Sequence, residues 1–194
     1  MATPFWRDVR ERVRSGFALS VSTKAMEAPI DRRHDESVID LPARDDDVFA
    51  HLDDHSRLSG HMSQSSWMML GSRMELHVDE GKGQRVGSVI RLDGKVLGLS
   101  LHVEEAVIER TPPSKKVWET IGDPSLLVIG PYRMGFEIKP DRQRSTLRVF
   151  IDYDLPRTGL GRWLGPLLGP LYAQWCTRQM AQDAKAHFAN DRSN

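Results

Sequence analysis

The chain has 194 residues, enough for one ordinary domain with an extension and a substantial core, and too few for two full domains. Basic and acidic residues balance at 27 each, so the excess of positive charge that marks a dedicated nucleic-acid binder is missing. Cys176 is the single cysteine, which excludes an intrachain disulfide and a cysteine-rich zinc site and makes a reducing cytoplasm the expected compartment.

Thr3 and Pro4 suit the cap and first turn of a helix, and Phe5, Trp6, Val9, Val13 and Phe17 then recur at helical spacing opposite Arg7, Arg10 and Arg14. The spacing predicts a basic amphipathic helix within residues 4–17. It would pack on the domain or on a second subunit of a homodimer, or, in a sharper reading, rest on a membrane as a peripheral contact. No apolar run here is long enough for a signal-peptide core, and none in the chain reaches the length that spans a bilayer. The polar stretch from Glu27 to Glu36 reads as a linker, which separates an extension over 1–35 from a domain over 36–190.

The domain opens with a short β-prone run, Ser37 to Leu41, and a helix from Arg44 to Leu52 whose first turn is acidic. A second short helix or a loop is expected from Asp53 to Ser66. Trp67 to Val78 and Arg85 to Leu92 read as strands joined by a turn at Glu80 to Gly83, and Asp93-Gly94 predicts the next tight hairpin. Leu97, Leu99, Leu101 and Val103 then alternate with Gly98, Ser100 and His102, placing the leucines inward and His102 outward. The alternation breaks at Glu104-Glu105, which suggests a β-bulge. After the turn at Pro112-Pro113, strands are expected over Lys116 to Ile121, Leu126 to Ile138 and Thr146 to Tyr153. From Asp154 to Asn190 the chain reads as a long closing helix. Leu160, Leu164, Leu167, Leu168, Leu171, Trp175 and Met180 recur at helical spacing and predict its buried face, and the Gly-Pro steps at Pro166 and Pro170 predict a bend or division.

VIDLPARDDDVFAHLDD resembles the opening strand and helix of the START-like (SRPBCC) superfamily, and LGLSLHVEEAVIERTPPSKKVWETIG resembles its central strand pair. STLRVFIDYDLPRTGLGRWLGPLLGPLYAQWCTRQMAQDAKAHF is similar to the last strand and closing helix of the polyketide cyclase/dehydrase-like branch. The resemblance covers roughly Glu36 to Phe188. It implies an α+β helix-grip fold, a curved antiparallel sheet wrapped around a long C-terminal helix, with a cavity between them for a hydrophobic ligand such as a lipid or polyketide. It transfers no catalytic residue set.

On that reading the ligand-binding candidates are Leu99, Leu101, Trp118, Met134, Phe136, Val149, Ile151, Tyr153, Leu164, Leu168 and Trp175. Tyr153, at the end of the apolar row Leu147, Val149 and Ile151, either offers a phenol to a ligand carbonyl or is a core tyrosine satisfied by its neighbours. The strand around Trp118 allows two phases. Either Trp118 faces inward with Lys116 and Thr120 flanking it, or Val117 and Ile121 do and carry Glu119 inward as a carboxylate able to move a proton. Tyr132, Met134, Phe136 and Ile138 form a stripe suited to core or pocket wall. His51, His55 and His61 match no standard metal-ligand spacing, and Gly81 and Gly83 precede no helix that would make a phosphate site. No metal and no cofactor is expected. Three functions follow as expectations: binding of a hydrophobic small molecule, a cyclase or dehydratase using Tyr153 or Glu119, and a docking module acting through the N-terminal helix.

Overall fold

The computed structural model describes residues 32–54, 74–96 and 99–190. Within them, β1 (Arg33–Leu41), β2 (Met74–Val78), β3 (Val89–Val96), β4 (Leu99–Thr111), β5 (Lys115–Ser125), β6 (Tyr132–Asp141) and β7 (Arg144–Tyr153) form one sheet in the order β1-β7-β6-β5-β4-β3-β2. Every neighbouring pair is antiparallel. Helix α1 (Asp45–Asp53) follows β1, and α2 (Gly161–Asn190) packs across β1 and β7. This is the α+β helix-grip arrangement. The helix predicted within 4–17 lies outside the described residues, as do residues 55–73.

Period-two alternation sets the inner face. Leu147, Val149, Ile151 and Tyr153 of β7 and Tyr132, Met134, Phe136 and Ile138 of β6 are all buried and join one core with Phe49 and Leu52 of α1 and Met180 and Phe188 of α2. The outer face is largely polar, with Val38 exposed on β1 and with Val89, Ala106, Val117 and Phe150 as buried apolar residues; Phe150 packs with Val117 across Gly135 and is covered by the Arg148 guanidinium 5.0 Å from its ring.

Several boundaries differ from the sequence expectation. β1 begins at Arg33, inside the expected linker, because Arg33 to Glu36 already pair with β7. The strand expected from Arg85 begins at Val89. The Asp79 carboxylate accepts from the backbone N–H of Gly81 and of Val89, at 2.9 and 3.2 Å, and holds the intervening residues in turns. Asp93 and Gly94 do not form a hairpin turn. They sit within β3, paired to Glu75 and Met74 on one side and to His102 and Leu101 on the other, and the chain reverses between Val96 and Leu99. Asp93 there serves as a cross-strand acceptor, its carboxylate 2.6 Å from His102 Nδ1. β6 starts only at Tyr132, since Gly130 and Pro131 exchange backbone hydrogen bonds with Asp154 in place of a strand partner.

The closing helix begins at Gly161 and runs undivided for 30 residues through Pro166 and Pro170. Of its predicted buried face only Met180 is buried, with Trp175 partly so. Gly161, Gly165, Gly169, Ala173, Cys176, Thr177, Met180, Ala181, Ala184 and Phe188 face the protein, whereas Leu160, Leu164, Leu167, Leu168 and Leu171 face outward. The reason is distance. A Cβ at Gly161 would lie 2.8 Å from the Leu127 carbonyl oxygen, and one at Gly169 would lie 2.8 Å from that of Val128, so only glycine lets the first turns approach the loop between β5 and β6. Farther along, Thr177 donates to Asp35 at 2.9 Å and accepts from Ser37 at 3.2 Å, which ties the helix to β1.

Candidate functional site

Besides Lys116, and Asp35 and Ser37 on β1, the inner face carries one polar row that crosses the sheet from strand to strand. Register places Glu105 of β4 beside Thr120 of β5, and Thr120 Oγ1 accepts from the Tyr132 backbone N–H on β6 at 3.1 Å. Tyr132 is paired in turn with Tyr153 of β7, and Tyr153 with Arg33 of β1. The result is Glu105, Thr120, Tyr132, Tyr153 and Arg33 in sequence across five adjacent strands, with a carboxylate at one end and a guanidinium at the other.

Glu105 is the unexpected member. The inward phase of Leu101 and Val103 continues through Glu105 to Val107, and the carboxylate is only 3% exposed. The bulges in the β4–β5 ladder fall between His102 and Glu104 and between Val107 and Glu109, and between them Glu105 stays on the inner face. Tyr132 Oη donates a hydrogen bond to Glu105 Oε1. Burial, with the Glu105 charge adding to it, pushes the Tyr132 phenol well above its ordinary range, so it keeps its proton and acts as a donor. From α2, Tyr172 and Cys176 come down on the same region. Burial drives the Tyr172 phenol well up, and it pushes the Cys176 thiol up to about 12 against the lowering effect of the Tyr172 hydrogen bond. Cys176 is therefore a thiol at neutral pH and no nucleophile. Tyr153 is buried beneath Gly169, and its phenol is raised by burial while the neighbouring Arg33 opposes that shift.

The apolar walls are those of the sheet. Leu101, Trp118, Met134, Phe136, Val149 and Ile151 are buried in the core that surrounds the row, and Trp175 is partly buried against it. Of the two phases open for β5, the structure adopts the one with Trp118 inward, its ring 6.5 Å from that of Phe136, together with Lys116 and Thr120. Glu119 stands on the other phase, between Ala106 and Arg133. Leu164 and Leu168 are 40% and 36% exposed and stand outside the core. The Leu99 side chain lies outside the described residues, as do His55 and His61. His51 stacks on His187 at 4.0 Å.

A second polar group lies where β4 and β5 meet α1. Asp53 accepts two hydrogen bonds from Arg110, at 3.0 and 2.8 Å, and Lys116 Nζ donates to the Asp53 carbonyl at 2.8 Å and lies 3.3 Å from its carboxylate. An open groove of about 360 Å³ bordered by Phe49, Ala50, Arg110 and Pro112-Pro113 overlies it. The three charges satisfy one another, which makes this cluster a structural tie between α1 and the sheet.

No family model and no curated protein matches the sequence. Solved structures do. Ara h 8.0201 is similar at 10% identity with a TM-score of 0.57, over 82% of this chain and 99% of that one. A norcoclaurine synthase point mutant from Thalictrum flavum, in complex with a transition-state analogue, is similar at 16% identity with a TM-score of 0.56, over 86% and 99%. Zhui aromatase/cyclase from Streptomyces sp. R1128 is similar at 16% identity with a TM-score of 0.50, over 80% and 87%. Likeness at these identities is likeness of fold.

Proposed function

We propose that this chain, which has the helix-grip fold of the START-like superfamily, binds a hydrophobic small molecule between the inner sheet face and α2, with the Glu105–Tyr132 pair orienting it. The observation that carries this reading is the polar row itself. A carboxylate, a threonine and two phenols drawn up across a largely apolar face cost desolvation that a core built for stability alone would avoid. Phenol donors and a carboxylate acceptor suit a ligand with a carbonyl or hydroxyl on an apolar body. Its walls would supply affinity at about 25 cal/mol per Å² of apolar surface removed from water, before the costs of association.

The neutral fluorophore 6-propionyl-2-(dimethylamino)naphthalene, an apolar body with one carbonyl, tests this. The wild-type chain is expected to bind it saturably with enhanced emission, and Glu105→Gln and Tyr132→Phe to weaken binding by roughly fivefold, the worth of about 1 kcal/mol for one hydrogen bond. Absence of saturable binding sinks the proposal, and unchanged affinity in both variants removes the pair from it.

The same pair favours a second reading, a cyclase or dehydratase acting on a polyketide-like substrate. There Glu105 would accept a proton from the substrate, and the Tyr132 hydroxyl, released as the carboxylate is protonated, would turn to polarise the substrate carbonyl. Glu105→Gln would then abolish turnover of a poly-β-ketone while leaving its binding within a fewfold.

A further inference from the structure

The outward face of the first three turns of α2 is apolar. Trp163 is 78% exposed, Leu167 70%, Leu160 67% and Leu171 55%, and these residues recur at helical spacing so that they share one side of the helix. They lie directly opposite the glycines that press the same turns onto the protein. The segment that carries them has charge of one sign. From Leu155 to Gln182 there is no aspartate or glutamate, while Arg157, Arg162 and Arg178 are exposed. Arg162 stands over the Trp163 ring at 5.9 Å, and Arg178 continues the face of Leu171 two turns on.

From this we infer that the outward face of α2 docks on an anionic lipid surface. A leucine and tryptophan face flanked by arginines inserts its apolar side among acyl chains while the guanidinium groups meet lipid phosphates. A second copy of the chain fits less well. A two-fold contact through this face would bring arginine toward arginine with no carboxylate in the segment to pair with either. Among the described residues no helix is long and apolar enough to cross a membrane, so the contact is one of lying on the surface. The docked turns are those that cover Tyr153, which places the proposed ligand site next to the lipid. The inference is independent of that site, because the residues involved point away from it.

The test is co-sedimentation of the full chain with 100-nm vesicles of phosphatidylcholine alone or with one quarter phosphatidylglycerol, alongside light scattering of the protein without lipid. The wild type is expected to partition onto the anionic vesicles, and more weakly at 0.5 M than at 0.1 M NaCl. The triple variant Trp163→Ser, Leu167→Ser, Leu171→Ser should lose at least tenfold in partitioning. Arg157→Gln with Arg162→Gln should lose severalfold on anionic vesicles, and both variants should bind the fluorophore as the wild type does. No binding of the wild type to anionic vesicles overturns the inference, as does equal binding by the triple variant, which would put the contact elsewhere. A wild-type dimer that the triple variant dissolves, with no vesicle binding, would assign the face to a second copy.

Discussion

Replacing Asp53 by alanine is expected to destabilise the protein by about 3–5 kcal/mol, the usual cost of removing one partner from a buried ion pair. The size follows from what remains. Lys116 is fully buried, and burial already pulls its ammonium below the ordinary 10.5 while the Asp53 charge opposes that shift. Without the carboxylate, Lys116 keeps the backbone carbonyl of residue 53 and the weaker influence of the Asp54 charge, and Arg110 loses its two hydrogen bonds to Asp53. Urea unfolding would measure the loss, and adding Lys116→Met to the variant should recover part of it, because the stranded charge is then gone. The same cluster sets a pH dependence. Burial raises the Asp53 carboxyl, but the Arg110 hydrogen bond and the Lys116 charge outweigh it and hold the group below its ordinary 3.8. Its contribution is thus complete above 3.8 and is lost as the pH falls through the folded value. Asp53→Asn should flatten the acid limb of the stability curve, and an unchanged limb would show that other carboxylates set it.

Gly135→Ala is expected to cost about 1–3 kcal/mol or more by overpacking, although it adds a single methyl group. Gly135 lies in β6 opposite Val117, and a Cβ there would stand 2.6 Å from the Lys116 carbonyl oxygen, 2.9 Å from Phe150 Cζ and 3.1 Å from a Val117 methyl. The first of these is backbone of the adjacent strand. It cannot move without opening the β5–β6 ladder that aligns Thr120 with Tyr132. Thermal unfolding checks the cost, and the fluorophore checks the site: a variant with wild-type stability would show that the outer face has slack where the structure has none.

The strands and their inner faces were legible wherever strict alternation ran uninterrupted, as from Leu147 to Tyr153, and the acidic start of α1 was legible from Asp45 to Asp47. The resemblance to helix-grip proteins likewise rested on β1, α1, β4, β5, β7 and the closing helix. What failed did so for tertiary reasons. Glu105 was hidden because a charged pair in a strand reads as a break in the pattern, although carrying the odd phase of Leu101 and Val103 forward two residues would have placed it inward. Asp93-Gly94 has the composition of a turn, yet ladders on both sides hold it extended. The leucines of α2 satisfy helical periodicity on their own and so read as the buried face, whereas Gly161, Gly165 and Gly169, spaced by four, signal the close backbone approach that the structure shows on the opposite side. The Asp53, Arg110 and Lys116 cluster joins residues more than 50 positions apart in sequence and carries no local signature.

The central proposal is that a hydrophobic molecule binds between the inner sheet face and α2, anchored by Glu105 and Tyr132. Native mass spectrometry of the purified full chain, with small molecules retained, tests it most directly. The account predicts a species heavier than the bare chain by the mass of one apolar organic molecule, depleted in Glu105→Gln and Tyr132→Phe and released on denaturation. A spectrum of bare chain alone, even after incubation with fatty acids and aromatic polyketides, would contradict it.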